Sequence, residues 1–357
     1  MNDFDINDKR AATLFRGLTF SNFKKTSAKK EFLKSINDGK IEQSCYWICE
    51  FICAGHFYDI WDLLLLTMSK NIHLGNPKLP IYLELRFNDF KNIVHNGFIG
   101  NEIKMRNSPK IRRLFAEIVC ILCLSTKKLP VGNIKISKED FHISNISFKL
   151  KADNLEYGKR VYKNEDPKEL FIAVNEFAYH LTKQSNNNQQ VCYWFEWMMG
   201  YEDICFKDTK VRKIAARRNM PVENTLQKET IWILWELLLF EAKERNELIF
   251  KIVNALLNLF CIRFSKGCKK KRKNLIYFAI SLVTNKIDLD IPICKDDKVA
   301  AQIIKKINVI YKQIKKNEIK PETDYLFNNS FTKSNLEKTI SKLDQMEKLM
   351  NHISRKE

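Results

Sequence analysis

Two short signatures occur twice in this chain, in the same order, and any fold must accommodate both copies. Cys45-Tyr46-Trp47 followed by Ile60-Trp61-Asp62-Leu63-Leu64-Leu65 returns as Cys192-Tyr193-Trp194 followed by Leu234-Trp235-Glu236-Leu237-Leu238-Leu239. Lys30-Glu31-Phe32-Leu33 answers to Lys168-Glu169-Leu170-Phe171. Phe90-Lys91 with Ile93-Val94 answers more loosely to Phe250-Lys251-Ile252-Val253. The separation between copies changes from block to block, so they differ by insertions and not by order. Self-similarity of this kind predicts a repeated supersecondary unit.

The unit reads as helical. Only 10 Gly and 8 Pro occur in 357 residues, which suits long helices better than a turn-rich β protein. Ser27 is placed to cap a helix over 28–36, and Asn37-Asp38-Gly39 breaks it. A nearly all-apolar helix follows over 41–54, stopped by Gly55, and a third covers 58–69. Pro80 opens a fourth helix to about 95, and Ser108-Pro109 opens a fifth to about 125. In the second copy, Asp166-Pro167-Lys168-Glu169 combines a cap, an N1 proline and a capping-box glutamate. Helices are predicted there over 167–183, 189–199 (ended by Gly200), 226–245, 246–264 and 269–283. Alternation at 134–136 and 143–150 predicts one short hairpin between the copies.

The expected fold is therefore all-α, with two tandem, internally duplicated five-helix units plus C-terminal helices. An N-terminal arm occupies 1–27, unit one 28–126, a linker 127–165 and unit two 166–284. Residues 285–357 carry a basic helix over 298–316 and an amphipathic helix over 334–353, which offers a further partner face. With 45% hydrophobic residues the chain can fill two cores.

Catalytic motifs are lacking. Six histidines are scattered without partners, and no G-x-S-x-G, H-E-x-x-H or P-loop pattern occurs. Ten cysteines in a chain of this length do not form a small secreted scaffold. Cys45, Cys49, Cys53, Cys120 and Cys123 sit in apolar helical runs, where thiols act as small buried hydrophobes. Cys120 and Cys123 have zinc-like spacing, but structural zinc sites draw their cysteines from loops and knuckles. No metal or cofactor is expected. The N-terminus lacks an apolar signal region, and the longest apolar run is too short to span a bilayer, so no membrane partner is expected. The 73–78 loop is expected to be exposed and to serve as a rigid connector. The tryptophans are expected in the core, and Phe264, beside Arg263 and Lys266, comes nearest to a base-stacking aromatic.

Charge is the informative feature. A formal net charge of +19 points to a polyanionic partner, although only 14 of the 61 basic residues are Arg, as Lys-rich codon usage would also produce. Three clusters stand out. Lys104, Arg106, Lys110, Arg112 and Arg113 lead into the fifth helix of unit one. Lys207, Lys210, Arg212, Lys213, Arg217 and Arg218 fill an insertion in unit two. Lys266, Lys269, Lys270, Lys271, Arg272 and Lys273 lead into its fifth helix. A like-charged run repels itself unless it meets an anion. The expected partner is nucleic acid, DNA or RNA, held by its phosphates without sequence preference, or alternatively an acidic protein surface.

Cys45-Tyr46-Trp47, His73-Leu74-Gly75-Asn76-Pro77-Lys78-Leu79-Pro80 and Gly267-Cys268-Lys269-Lys270-Lys271-Arg272-Lys273, in a Lys/Asn/Ile-rich chain, resemble uncharacterised proteins of nucleocytoplasmic large DNA viruses. That resemblance covers most of the chain and brings no activity or site residues. It implies a viral setting, either a factory in the host cytoplasm or the virion, and a factor in replication, transcription or packaging. A virion-associated structural or adaptor protein is the other class. Twin five-helix units are also similar in helix count to cyclin-type and TFIIB-type cores, with no motif of either.

Overall fold

The chain is helical because its apolar residues recur at three- and four-residue steps and its breakers fall between those runs. The computed structural model describes residues 3–319 apart from 11, 102, 131 and 133. The predicted helix over 334–353 lies outside the described residues. In the first half, α1 (Lys25–Asn37), α2 (Ile41–Cys53), α3 (Phe57–Leu66), α4 (Leu79–His95) and α5 (Pro109–Leu124) fall close to expectation. Gly55 ends α2 at φ +76°, and His56 N–H reaches back to Phe51 O at 2.9 Å. Ser108 caps α5 by accepting from Ile111 N–H. Ser27 caps nothing, because α1 already begins at Lys25.

No strand forms among the described residues. The predicted hairpin is instead an extended stretch and two short helices, α6 (Ile143–Lys149) and α7 (Glu156–Lys159). Asp140 fastens the stretch to the next layer: its carboxylate accepts from Tyr193 Oη at 3.0 Å and its carbonyl from Trp197 Nε1 at 2.9 Å. A hairpin there would leave those polar groups unpaired.

The second half contains α8 (Phe171–Leu181), α9 (Asn188–Thr209), α10 (Ile231–Arg245), α11 (Glu247–Phe260), α12 (Cys268–Lys271), α13 (Lys273–Thr284) and α14 (Asp297–Lys315). Two expectations fail here. Asp166 does not cap α8; it is buried against Arg218. Gly200 does not stop a helix, since α9 runs through it to Thr209. Its role is clearance: a Cβ on Gly200 would lie 2.9 Å from Cζ of Phe141.

In the first half α2 packs on α1, α3 and α5, and α4 packs on α5. In the second, α9 packs on α8 and α13, and α11 packs on α10 and α13. The halves meet where α4 lies along α11, with Asn258 donating to Glu84 at 2.6 Å. The α14 helix closes over α2 and α5. One continuous apolar core runs through both halves, and the chain to Glu318 forms one compact unit.

Trp61, Trp194, Trp232 and Trp235 are fully buried. Trp232 Nε1 donates to Leu226 O at 2.7 Å, whereas the indole N–H groups of Trp61, Trp194 and Trp235 have no acceptor among the described residues. An unmet donor costs about 1–3 kcal/mol. Burying a large aromatic side chain contributes about 4–6 kcal/mol, so packing wins.

The 73–78 loop is buried, not exposed. His73 stacks on Phe278 at 4.8 Å between centroids, and Asn76 Nδ2 donates to Ser125 Oγ at 3.2 Å and Ile293 O at 3.0 Å. Burial holds the His73 imidazole down near pKa 4. It is a rigid connector that joins the halves.

Candidate functional site

The three basic clusters meet different fates, decided by which way each residue faces. In the first, Lys104, Lys110 and Arg113 are exposed, while Arg106 and Arg112 are buried. Arg106 donates to the carbonyls of Asp8 and Cys53. Arg112 donates to Arg106 O at 3.0 Å and stacks 3.9 Å from the ring centroid of buried Tyr311 on α14. These two arginines tie the N-terminal arm and α14 to α5. The exposed Lys110 and Arg113 line a separate recess with Arg86, Asp89 and Glu117.

In the insertion, Arg218 has no exposed side-chain surface. It grips both oxygens of Asp166 at 2.7 and 2.8 Å, Glu236 at 2.6 Å and Val161 O at 3.0 Å. Those partners hold its guanidinium charged against the cost of burial. Arg217 is exposed and bonded to Gln227 and Asn224. Arg212 is exposed and lies 4.7 Å over the ring of Phe206, at the C-terminal end of α9. Lys213 pairs with Glu169 at 2.6 Å.

The third cluster is the densest in sequence and the most neutralised in space. Lys269 is 5% exposed and bridges Glu202 at 2.7 Å and Glu229 at 2.9 Å. Burial pulls its ammonium pKa down, but the two carboxylates outweigh that and leave it raised. Burial raises the Glu202 carboxyl against the opposing pull of Lys269. Lys270 pairs with Asp203 at 2.6 Å, Arg272 with Asp62 at 2.9 Å and Lys273 with Glu196 at 2.7 Å. Arg272 also donates to Phe260 O and Ile262 O, and the predicted 269–283 helix is interrupted at this residue into α12 and α13. Among the described residues Lys271 forms no ion pair. The anions that this run requires are thus largely the protein's own.

Two clusters come together. Arg212, Lys213, Lys266 and Lys270 surround a cavity of about 160 Å³, walled by Met199 and Phe206, with Lys269, Glu202 and Glu229 at its base. A neighbouring recess of about 280 Å³ shares Met199, Asp203 and Lys270 and adds Glu196 and Lys273. Arg212 and Lys266 form no ion pair among the described residues.

Aromatic expectations need correcting as well. Phe264 is buried against Trp232, with centroids 4.8 Å apart, and belongs to the core. Among the described residues, the exposed aromatics beside cations are Phe206 under Arg212, Phe240 under Arg160 at 5.3 Å and Tyr58 under Arg263 at 3.7 Å; of these, Phe206 lines the basic cavity. The sequence signal for Phe206 is its place among Lys207, Lys210 and Arg212.

Burial pushes the Cys123 thiol up to about 11 and the Cys120 thiol to about 12, which makes both poor ligands and poor nucleophiles. Among the described residues, no group of three or more His, Cys, Asp and Glu side chains converges as a metal site. No described helix is long and apolar enough to cross a membrane. No family model, curated protein or solved structure matches this chain.

Proposed function

We propose that this chain is a non-enzymatic nucleic-acid-associated factor that holds the phosphate backbone at the basic cleft. The observation that supports it is the pair Arg212 and Lys266 at the rim, cationic and without carboxylate partners among the described residues. Lys213 joins them through a half-buried ion pair and Lys270 through an exposed one, 63% and 43% exposed on its two sides. Exposed pairs contribute about 0–1 kcal/mol, so either lysine can exchange its carboxylate for a phosphate. Lys110 and Arg113, which line a recess together, and the exposed Lys104 offer further contacts for the same ligand. The viral factory or virion implied by the sequence resemblance is the setting of this reading.

The reading includes an internal duplication. The pairings α1/α2, α2/α5 and α4/α5 recur as α8/α9, α9/α13 and α11/α13 in the same order, and Cys45 and Cys192 are both buried. A superposition of the two halves that fails to bring five helices into register removes that element.

Titrating labelled DNA and RNA across a salt series tests the function. Changing Arg212, Lys266 and Lys270 to Ala should weaken binding and flatten the salt dependence, with the slope reduced by about 0.7–0.9 per lost contact. An unchanged slope transfers the reading to an acidic protein partner. Val211 and Ile214, 65% and 62% exposed beside Arg212 and Lys213, favour that second reading.

A further inference from the structure

We infer that the cleft between the end of α9, the 210–218 segment and α12 receives one unpaired nucleotide of a single strand, its base on the Phe206–Arg212 stack and its phosphate on Lys266 and Lys270. This inference rests on the nucleic-acid reading and narrows it.

Three observations point the same way. Phe206 remains 39% exposed although Arg212 lies 4.7 Å over its ring. A guanidinium on an aromatic face is a platform to which an unstacked base adds, since every base has a π-face. Below it, Glu202 gives Oε2 to Lys269, while Oε1 is buried and has no hydrogen-bond partner among the described residues. A buried acceptor left unmet calls for a donor. A phosphate brings none, whereas a base edge carries N–H groups. The third observation is size. About 160 Å³ is small beside the roughly 300–1,000 Å³ of drug-sized ligand pockets. It suits a single base, with the phosphate held at the mouth by the exposed Lys266 and Lys270. In a duplex the base edges are paired and the faces stacked, so a duplex offers this cleft its backbone alone.

The test uses the full chain and fluorescence anisotropy at one salt concentration, with a labelled single strand, the duplex made from it, and an abasic strand of the same length. The single strand should bind about tenfold more tightly than the duplex or the abasic strand, by the usual worth of a base–aromatic stack. Phe206→Ala should remove that advantage while leaving duplex affinity within about twofold. Helicity by circular dichroism checks that the variant folds. If the single strand loses nothing in Phe206→Ala while binding stays salt-dependent, the inference fails and the phosphate-backbone reading stands. If no form of nucleic acid binds at low salt, both fail.

Discussion

Lys269 and Lys271 are two positions apart in one run, yet one is buried between two carboxylates and the other is exposed. A helical step of about 100° per residue separates their directions by about 200°. Arg112 and Arg113, and Arg217 and Arg218, divide in the same way. Charge counted along the sequence cannot see this, but helical register sometimes can. Arg112 shares a face with Phe115, Val119 and Leu122 at steps of three and four, so its burial was legible. Arg218 was not, since it sits in an irregular segment where no period applies. The consequence is a sharp difference between neighbours. Lys269→Met leaves Glu202 and Glu229 facing each other out of water and should cost about 3–5 kcal/mol. Lys271→Ala should stay within about 0.5 kcal/mol. Chemical denaturation of both variants checks this, and equal stabilities would show that the Lys269 bridge contributes nothing.

Among the elements, the helices with strong apolar periods were read almost in place, while local signals failed where distant residues competed for them. Asp166-Pro167-Lys168-Glu169 carries three start signals, but Arg218 takes the carboxylate that would have capped the helix. Gly200 reads as a stop because Gly often ends helices, but here it makes room for Phe141. The connector before α4 provides the cleanest test at this scale. A Cβ on Gly75 would lie 2.1 Å from the backbone oxygen of Thr126, and no side-chain rotation relieves a clash with backbone. Gly75→Ala should therefore destabilise the protein by about 1–3 kcal/mol, as overpacking does. Gly267→Ala, where nothing lies within 4 Å, should be close to neutral. A thermal melt in which the two variants coincide would contradict a tightly pinned connector.

For the whole molecule, the decisive contacts run between the halves. The long α4–α11 contact, the His73–Phe278 stack, the Arg272–Asp62 pair and the Asn258–Glu84 hydrogen bond all bridge them. A half expressed alone would expose the apolar faces of α4 or α11 to water. Residues 1–318 should unfold in one cooperative transition, with circular dichroism and tryptophan fluorescence coinciding. Separately expressed segments 1–126 and 127–318 should lack such a transition. A cooperative melt from either segment would show that it is an independent domain.

By itself, the sequence determined the all-helical class, most helix positions and the burial of the tryptophans other than Trp47, which stays half-buried at the edge of the core. These depend on periodicity and breakers, which act over a few residues and need no partner. Arg112 apart, only the tertiary structure decided which cations face solvent, where Asp166 and Gly200 act, and that Phe206 rather than Phe264 lies exposed. The burial of Lys269, Arg218 and Phe264, and the roles of Asp166 and Gly200, are each set by a partner dozens of residues away. A charged side chain is buried or free according to whether folding brings a counter-charge to it, and no local pattern in the chain encodes that meeting.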